Sequence, residues 1–89
     1  MLDENLVRRL FILTAHVHLK ISGNPADVEI VKYGDPPDNS RVHVVLSTDR
    51  GQLSGTVLSE KGHLVAYLDE LRWNGQLAER FYRQHYLVL

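Results

Sequence analysis

Hydrophobic positions near the start of the chain recur at the spacing of an amphipathic helix. They lie four, three, four and four residues apart, at Leu6, Leu10, Leu13, Val17 and Ile21. This spacing places them on one face of a helix. Asp3 is a favourable N-cap, and Gly23 is a natural stop for a helix that ends just before it. We therefore predict a helix over residues 4–20.

The second half of this segment also fits a strand. Four apolar residues alternate there with four polar ones, so that Ala15, Val17, Leu19 and Ile21 stand between Thr14, His16, His18 and Lys20. Alternation of this kind is the pattern of a half-buried strand. A single helix is the simpler interpretation, because no glycine or proline separates the two halves.

The centre of the chain has the pattern of an antiparallel meander. Asp27–Tyr33 is rich in β-branched and aromatic residues, and we predict a strand there, followed by a loop over Gly34–Ser40 that contains two prolines. Two similar turns then follow, Asp49-Arg50-Gly51 and Glu60-Lys61-Gly62. A glycine in the third position suits a type I turn followed by a left-handed residue. The turns predict strands near 41–48, 52–58 and 63–68.

Two later segments fit helices. Leu64, Leu68 and Leu71 have helical spacing, which is the alternative to the last strand of the meander. After Asn74-Gly75, we predict a helix over Gln76–Tyr86, because its apolar residues fall on one helical face: Leu77, Ala78, Phe81, Tyr82 and His85. Leu87–Leu89 is wholly apolar, whereas a free tail is usually polar, so we expect this end to be packed.

Together these elements predict one small α+β domain over residues 1–89. It consists of an antiparallel β-meander of about four strands with an N-terminal and a C-terminal helix packed on the sheet. Helices on one face leave the other face to solvent or to a partner. A domain of 89 residues buries only about two thirds of its unfolded surface, which favours self-association.

Charge and composition exclude several classes of function. The net charge is −1, and the three consecutive segments 1–40, 41–68 and 69–89 carry −2, +1 and zero. Without a basic block, binding to nucleic acid is not expected. The chain has no cysteine, so thiol catalysis and thiolate metal sites are excluded. We find no apolar run long enough for a membrane span and no signal peptide, and we expect a cytoplasmic protein.

Histidines provide the clearest candidate catalytic chemistry. On a strand, His16 and His18 would face the same way and could share a metal with His43. The same pair with Lys20 could form a metal-free phosphodiesterase site. On a helix, residues two apart point roughly 200° from each other, which breaks both arrangements. The predicted helix therefore argues against them, and we assign no metal and no cofactor.

Aromatic and basic residues alternate near the C-terminus, in Arg72-Trp73 and in Arg80-Phe81-Tyr82-Arg83-Gln84-His85-Tyr86. Such a set can stack single-stranded nucleic acid, form a protein interface rich in Tyr, Trp and Arg, or belong to the core of a terminal helix. We take the candidate binding residues to be Tyr67, Arg72, Trp73, Phe81, Tyr82, Arg83 and Tyr86.

These observations favour a non-enzymatic interaction module that forms a two-fold homodimer and binds another protein. The alternative is a small-molecule-binding protein with an aromatic pocket between helix and sheet, where Asp69 or Glu70 would attract a cationic ligand. A histidine-dependent hydrolase or nuclease and a nucleic-acid-binding protein are less favoured.

Overall fold

The computed structural model describes residues 2–32 and 40–89. In this part of the chain one α-helix packs on an antiparallel sheet of six strands. The helix, α1, spans Glu4–Leu19, and a 3₁₀ turn spans Pro25–Asp27. The strands are β1 (Glu29–Lys32), β2 (Arg41–Thr48), β3 (Gly51–Glu60), β4 (His63–Trp73), β5 (Gln76–Arg80) and β6 (Tyr86–Val88).

Helix α1 confirms the helix predicted from the hydrophobic spacing. The Asp3 side chain caps it by accepting hydrogen bonds from the backbone N–H groups of Asn5 and Leu6. The helix ends at Lys20, not at Gly23, because Lys20 adopts the left-handed conformation with φ 58° and closes the last turn. Since the helix continues to Leu19, the alternative strand over residues 14–21 is wrong up to that point.

The strands follow one another across the sheet in the order β1-β2-β3-β4-β5, and β6 returns to pair with β4. This confirms the predicted meander and extends it beyond four strands. β1 is shorter than the predicted strand Asp27–Tyr33, because Pro25–Asp27 forms the 3₁₀ turn. Tyr33 and the predicted loop over Gly34–Ser40 lie outside the described residues, except for Ser40.

The predicted C-terminal helix over Gln76–Tyr86 is wrong. Asn74 and Gly75 both have positive φ, 52° and 77°, as a type I′ turn requires, and they join β4 to β5 in a hairpin. The helically spaced residues do not share one buried face in the structure. Leu77 and Ala78 are exposed on β5, and Phe81 is buried after the strand has ended.

The core lies between α1 and one face of the sheet. Phe11 and Val7 of the helix are fully buried against Leu53, Val57 and Leu68 of the strands. Gly55 leaves room for this approach, because a Cβ atom there would lie 2.4 Å from Cε1 of Phe11. Phe81 also joins this core with 1 % of its surface exposed.

The opposite face of the sheet, which we call the open face, is not covered by any helix or strand in the described ranges. Its central row runs across five strands through paired residues, namely Val31, His43, Thr56, Tyr67 and Tyr86. Thr56 donates a hydrogen bond of 2.8 Å to the Asp69 carboxylate on this face. The sequence prediction that one face is left to solvent or to a partner therefore applies to this surface.

Within residues 2–32 and 40–89, no helix combines the length and the apolar character needed to cross a bilayer.

Candidate functional site

A strained turn lies between β5 and β6. The Gln84 N–H donates to the Phe81 carbonyl oxygen at 2.9 Å, while Tyr82 and Arg83 at the centre have φ values of 50° and 61°. This is the pattern of a type I′ turn, in which both central residues are left-handed. Tyr and Arg pay a steric cost in that region that glycine does not.

The other type I′ turns of the chain follow the usual residue preference. Lys61-Gly62 and Asn74-Gly75 each place glycine at the second central position. The Tyr82-Arg83 turn has no glycine, so it departs from the residue preference that the other two described type I′ turns follow. Such violations concentrate at functional sites, where surrounding structure holds the strained residues in place.

Backbone bonds to β4 hold both ends of this turn. The Phe81 N–H donates to Asp69 O at 3.0 Å, and the Leu68 N–H donates to His85 O at 2.9 Å. The buried Phe81 ring adds a hydrophobic anchor and contacts the His85 ring at 5.1 Å between centroids. The chain must therefore reverse within the few residues between these anchors.

The turn brings aromatic and arginine side chains together on the open face. The Arg83 guanidinium lies 5.0 Å from the centroid of Tyr67, whose ring lies 5.6 Å from that of Tyr86. The Arg80 guanidinium lies 6.0 Å from the Tyr82 ring. We call this set the aromatic–arginine patch: Tyr67, Arg80, Tyr82, Arg83 and Tyr86. Tyr82 is 72 % exposed and Tyr86 49 % exposed.

Glu70 organises the arginines beside the patch. Its carboxylate accepts a 2.7 Å hydrogen bond from Arg72 Nε and lies 3.6 Å from an Arg80 guanidinium nitrogen. The hydrogen bond from Arg72, with the nearby charges of Arg72 and Arg80, holds the pKa of Glu70 below its ordinary value, although desolvation opposes this shift. Glu70 thereby fixes Arg80 and offsets part of the positive charge.

The structure brings together four of the seven residues predicted from the sequence: Tyr67, Tyr82, Arg83 and Tyr86. Arg72 lies on the same face and binds Glu70 and the Gly75 carbonyl oxygen.

Trp73 is half exposed at the β4–β5 hairpin, one position beyond Arg72 and therefore on the other side of the strand. Phe81 belongs to the core. The predicted set of binding residues did not include Arg80. Its position two residues before Tyr82 could have suggested that the two side chains lie on the same side of the chain.

Among the described residues, the space between helix and sheet is a packed hydrophobic core. Phe11 and Phe81 fill that space, while Tyr67 and Tyr86 lie on the opposite face. Surface cavities lie elsewhere among the described residues, and we consider two of them. One lies beside Arg8 and Pro25, the other beside Lys20 and Arg50, and neither is lined by an aromatic side chain.

The three histidines of the predicted sites do not converge, although His18 contacts the His85 ring at 5.1 Å between centroids. His16 is exposed on the helix, while His18 Nε2 lies 2.9 Å from the Tyr86 carbonyl oxygen and donates to it. His43 is on the far side of the sheet. The helix therefore separates the His16–His18 pair that metal or phosphodiesterase chemistry would need. Across the described residues, no group of three or more His, Asp or Glu side chains is placed to hold a metal ion.

Comparison of the chain with known protein families, with curated proteins and with solved structures found no significant match.

Proposed function

We propose that this chain is a small cytoplasmic, non-enzymatic interaction module that forms a homodimer and binds another protein through the aromatic–arginine patch. The observation that carries the proposal is the strained Tyr82-Arg83 turn. It presents Tyr82 to solvent and places Arg83 over Tyr67, at a conformational cost that asparagine and glycine in the same turn would largely avoid.

The chemistry of the patch suits a protein partner. Tyrosine and arginine are enriched among the residues that dominate binding energy at protein interfaces. The rings of Tyr67 and Tyr86 lie in contact, and Arg83 is stacked on Tyr67, so these side chains lose little conformational freedom on binding.

The charge of the patch supports a protein partner over a nucleic acid. Arg72 and Arg80 both interact with Glu70, and Asp69 adds a further carboxylate to the same face. A surface of mixed charge has little capacity to neutralise a phosphate backbone. It does allow charge pairing with a partner protein.

Photo-crosslinking tests this proposal directly. We would replace Tyr82 with benzoylphenylalanine and irradiate cells that make the protein at its natural level. In the matched control, benzoylphenylalanine replaces Lys61 instead of Tyr82. Lys61 is also an exposed, left-handed turn position, but it lies in the β3–β4 hairpin. We expect a discrete adduct from position 82 and none from position 61, with mass spectrometry identifying the attached protein.

A second variant shows whether the adduct depends on the patch. Arg83→Ala, combined with benzoylphenylalanine at position 82, removes the stacking of Arg83 on Tyr67. The yield of the adduct should fall at least about tenfold, as expected for loss of an interface hot spot. Equal labelling from positions 82 and 61, or an adduct unaffected by Arg83→Ala, would contradict the proposal.

A further inference from the structure

Strand β6 has an outer edge that no other described strand covers. Its bonds to β4 are made by alternate residues, as the contacts Leu68 N–H to His85 O and Leu89 N–H to Leu64 O show. The N–H and C=O groups of Tyr86 and Val88 must therefore point away from β4. His18 confirms this direction by donating to the Tyr86 carbonyl oxygen from outside the sheet. Val88 is 54 % exposed, and its outward groups remain available to a further strand.

β6 lacks the charged side chains that the other described edge strands of this sheet carry. Among the described strands, β1 has Glu29 and Lys32 and β5 has Glu79 and Arg80, whereas β6 is the uncharged sequence Tyr-Leu-Val. Charged side chains on an edge strand discourage pairing with another chain. An uncharged edge is free of like-charge repulsion when it meets an identical copy.

The helix adds an exposed apolar stripe on the same side of the molecule. Leu6, Leu13 and Val17 are 41 %, 50 % and 50 % exposed and share one flank of α1. The other flank, roughly 160° around the helix, carries Arg8, which donates to the Val28 carbonyl oxygen before β1. Because α1 also contacts β4 and β6, the apolar flank lies toward β6.

We infer that two copies of this chain associate by antiparallel pairing of their β6 strands, with the α1 stripes packed beside them. The inference rests on the homodimer of the proposed function and assigns its surface. A two-fold axis normal to the sheet joins the two sheets into one and makes the two helices antiparallel. The acidic first turn of each helix, with Asp3 and Glu4, is then directed toward the end of its partner that carries Lys20. This orientation is electrostatically favourable.

The principal test is the variant Val88→Pro, measured by sedimentation and native mass spectrometry over a range of concentrations. Proline removes the outward N–H, while the bonds from β4 to His85 and Leu89 stay in place. We expect the wild type to have twice the 10.2 kDa chain mass. The variant should be a folded monomer, with a dimer dissociation constant raised at least tenfold.

A matched pair of lysine substitutions distinguishes this edge from the opposite one. Val88→Lys and Val31→Lys each place a charge on an exposed valine of an edge strand. Val88→Lys should weaken the dimer and Val31→Lys should leave it intact. A monomeric wild type, an unchanged dimer in both Val88 variants, or equal loss from Val31→Lys would overturn the inference. The crosslinking from position 82 tests the patch separately, so failure at β6 leaves that result interpretable.

Discussion

Gly55 sets the distance between helix and sheet. A Cβ atom at this position would lie 2.4 Å from Cε1 of Phe11 and 2.4 Å from the Tyr67 carbonyl oxygen, which cannot move without disturbing β4. We expect Gly55→Ala to lower the free energy of unfolding by about 1–3 kcal/mol, as overpacking usually does. Urea denaturation measures this loss.

Gly23→Ala provides the control for Gly55→Ala. Its added Cβ would lie 3.0 Å from Ile12 and 3.1 Å from Leu46, and both neighbouring atoms are ends of flexible side chains. The loss of stability should therefore be smaller. Equal losses in the two variants would show that the close approach of α1 at Gly55 is not what constrains the packing.

Glu70 makes the stability of the open face depend on pH. Its pKa is lower in the folded chain because Arg72 and Arg80 favour the carboxylate. The resulting stabilisation is complete above the unfolded-state pKa and is lost as the pH falls through the folded-state pKa. We expect Glu70→Gln to be less stable than wild type at pH 7, by at most about 1 kcal/mol for these exposed pairs.

Thermal unfolding of wild type and Glu70→Gln from neutral to acidic pH tests this linkage. The difference in stability should shrink with acidification and vanish below the folded-state pKa of Glu70. A difference that persists unchanged at acidic pH would mean that Glu70 contributes through packing and not through its charge.

Secondary structure was predictable where local signals agreed. The hydrophobic spacing and the Asp3 cap define α1, and two acid-base-glycine turns define β2, β3 and β4. The prediction for the C-terminal region was wrong because the helical spacing over Gln76–Tyr86 was preferred to the Asn74-Gly75 turn. That turn is the stronger short-range signal and indicates a hairpin. β5 and β6 are short and both pair with β4, a long-range arrangement that periodicity does not encode.

The site was predictable in composition but not in conformation. Its tyrosines and arginines stand out in the sequence, yet Tyr-Arg has no preference for a type I′ turn. The left-handed conformation follows from the anchors on β4, through the backbone bonds at Phe81 and His85. Those anchors exist only once the sheet has formed, so no local pattern predicts the turn.

The terminal strand should be part of the folded unit. Leu87 packs against the core, and the Leu89 N–H bonds to Leu64 O. Deletion of Leu87–Leu89 removes this burial and leaves the edge of β4 without its paired strand. We therefore expect the free energy of unfolding to fall by about 2 kcal/mol or more. Denaturant unfolding measures it, and an unchanged curve would mean that β6 is not required by the fold.

The whole molecule presents two different surfaces on one small sheet. The open face carries the aromatic–arginine patch, and the outer edge of β6 carries the outward backbone groups of Val88 beside an apolar helix flank. An edge-to-edge dimer would leave the patch of each copy exposed on the joined sheet. Such a dimer would present two patches on one side, and a partner with two binding sites would then gain from effective concentration.

In our proposal, Tyr82 and Arg83 serve binding and not folding. The most direct test is the double substitution Tyr82→Asn with Arg83→Gly, which installs the residues that a type I′ turn prefers. Relief of the left-handed strain should exceed the loss of the Arg83–Tyr67 contact, which is worth about 0.5–1 kcal/mol. We predict a net stabilisation of about 1 kcal/mol, measured by urea denaturation. A less stable double variant would contradict the proposed role of Tyr82 and Arg83 in binding, because these residues would then stabilise the fold itself.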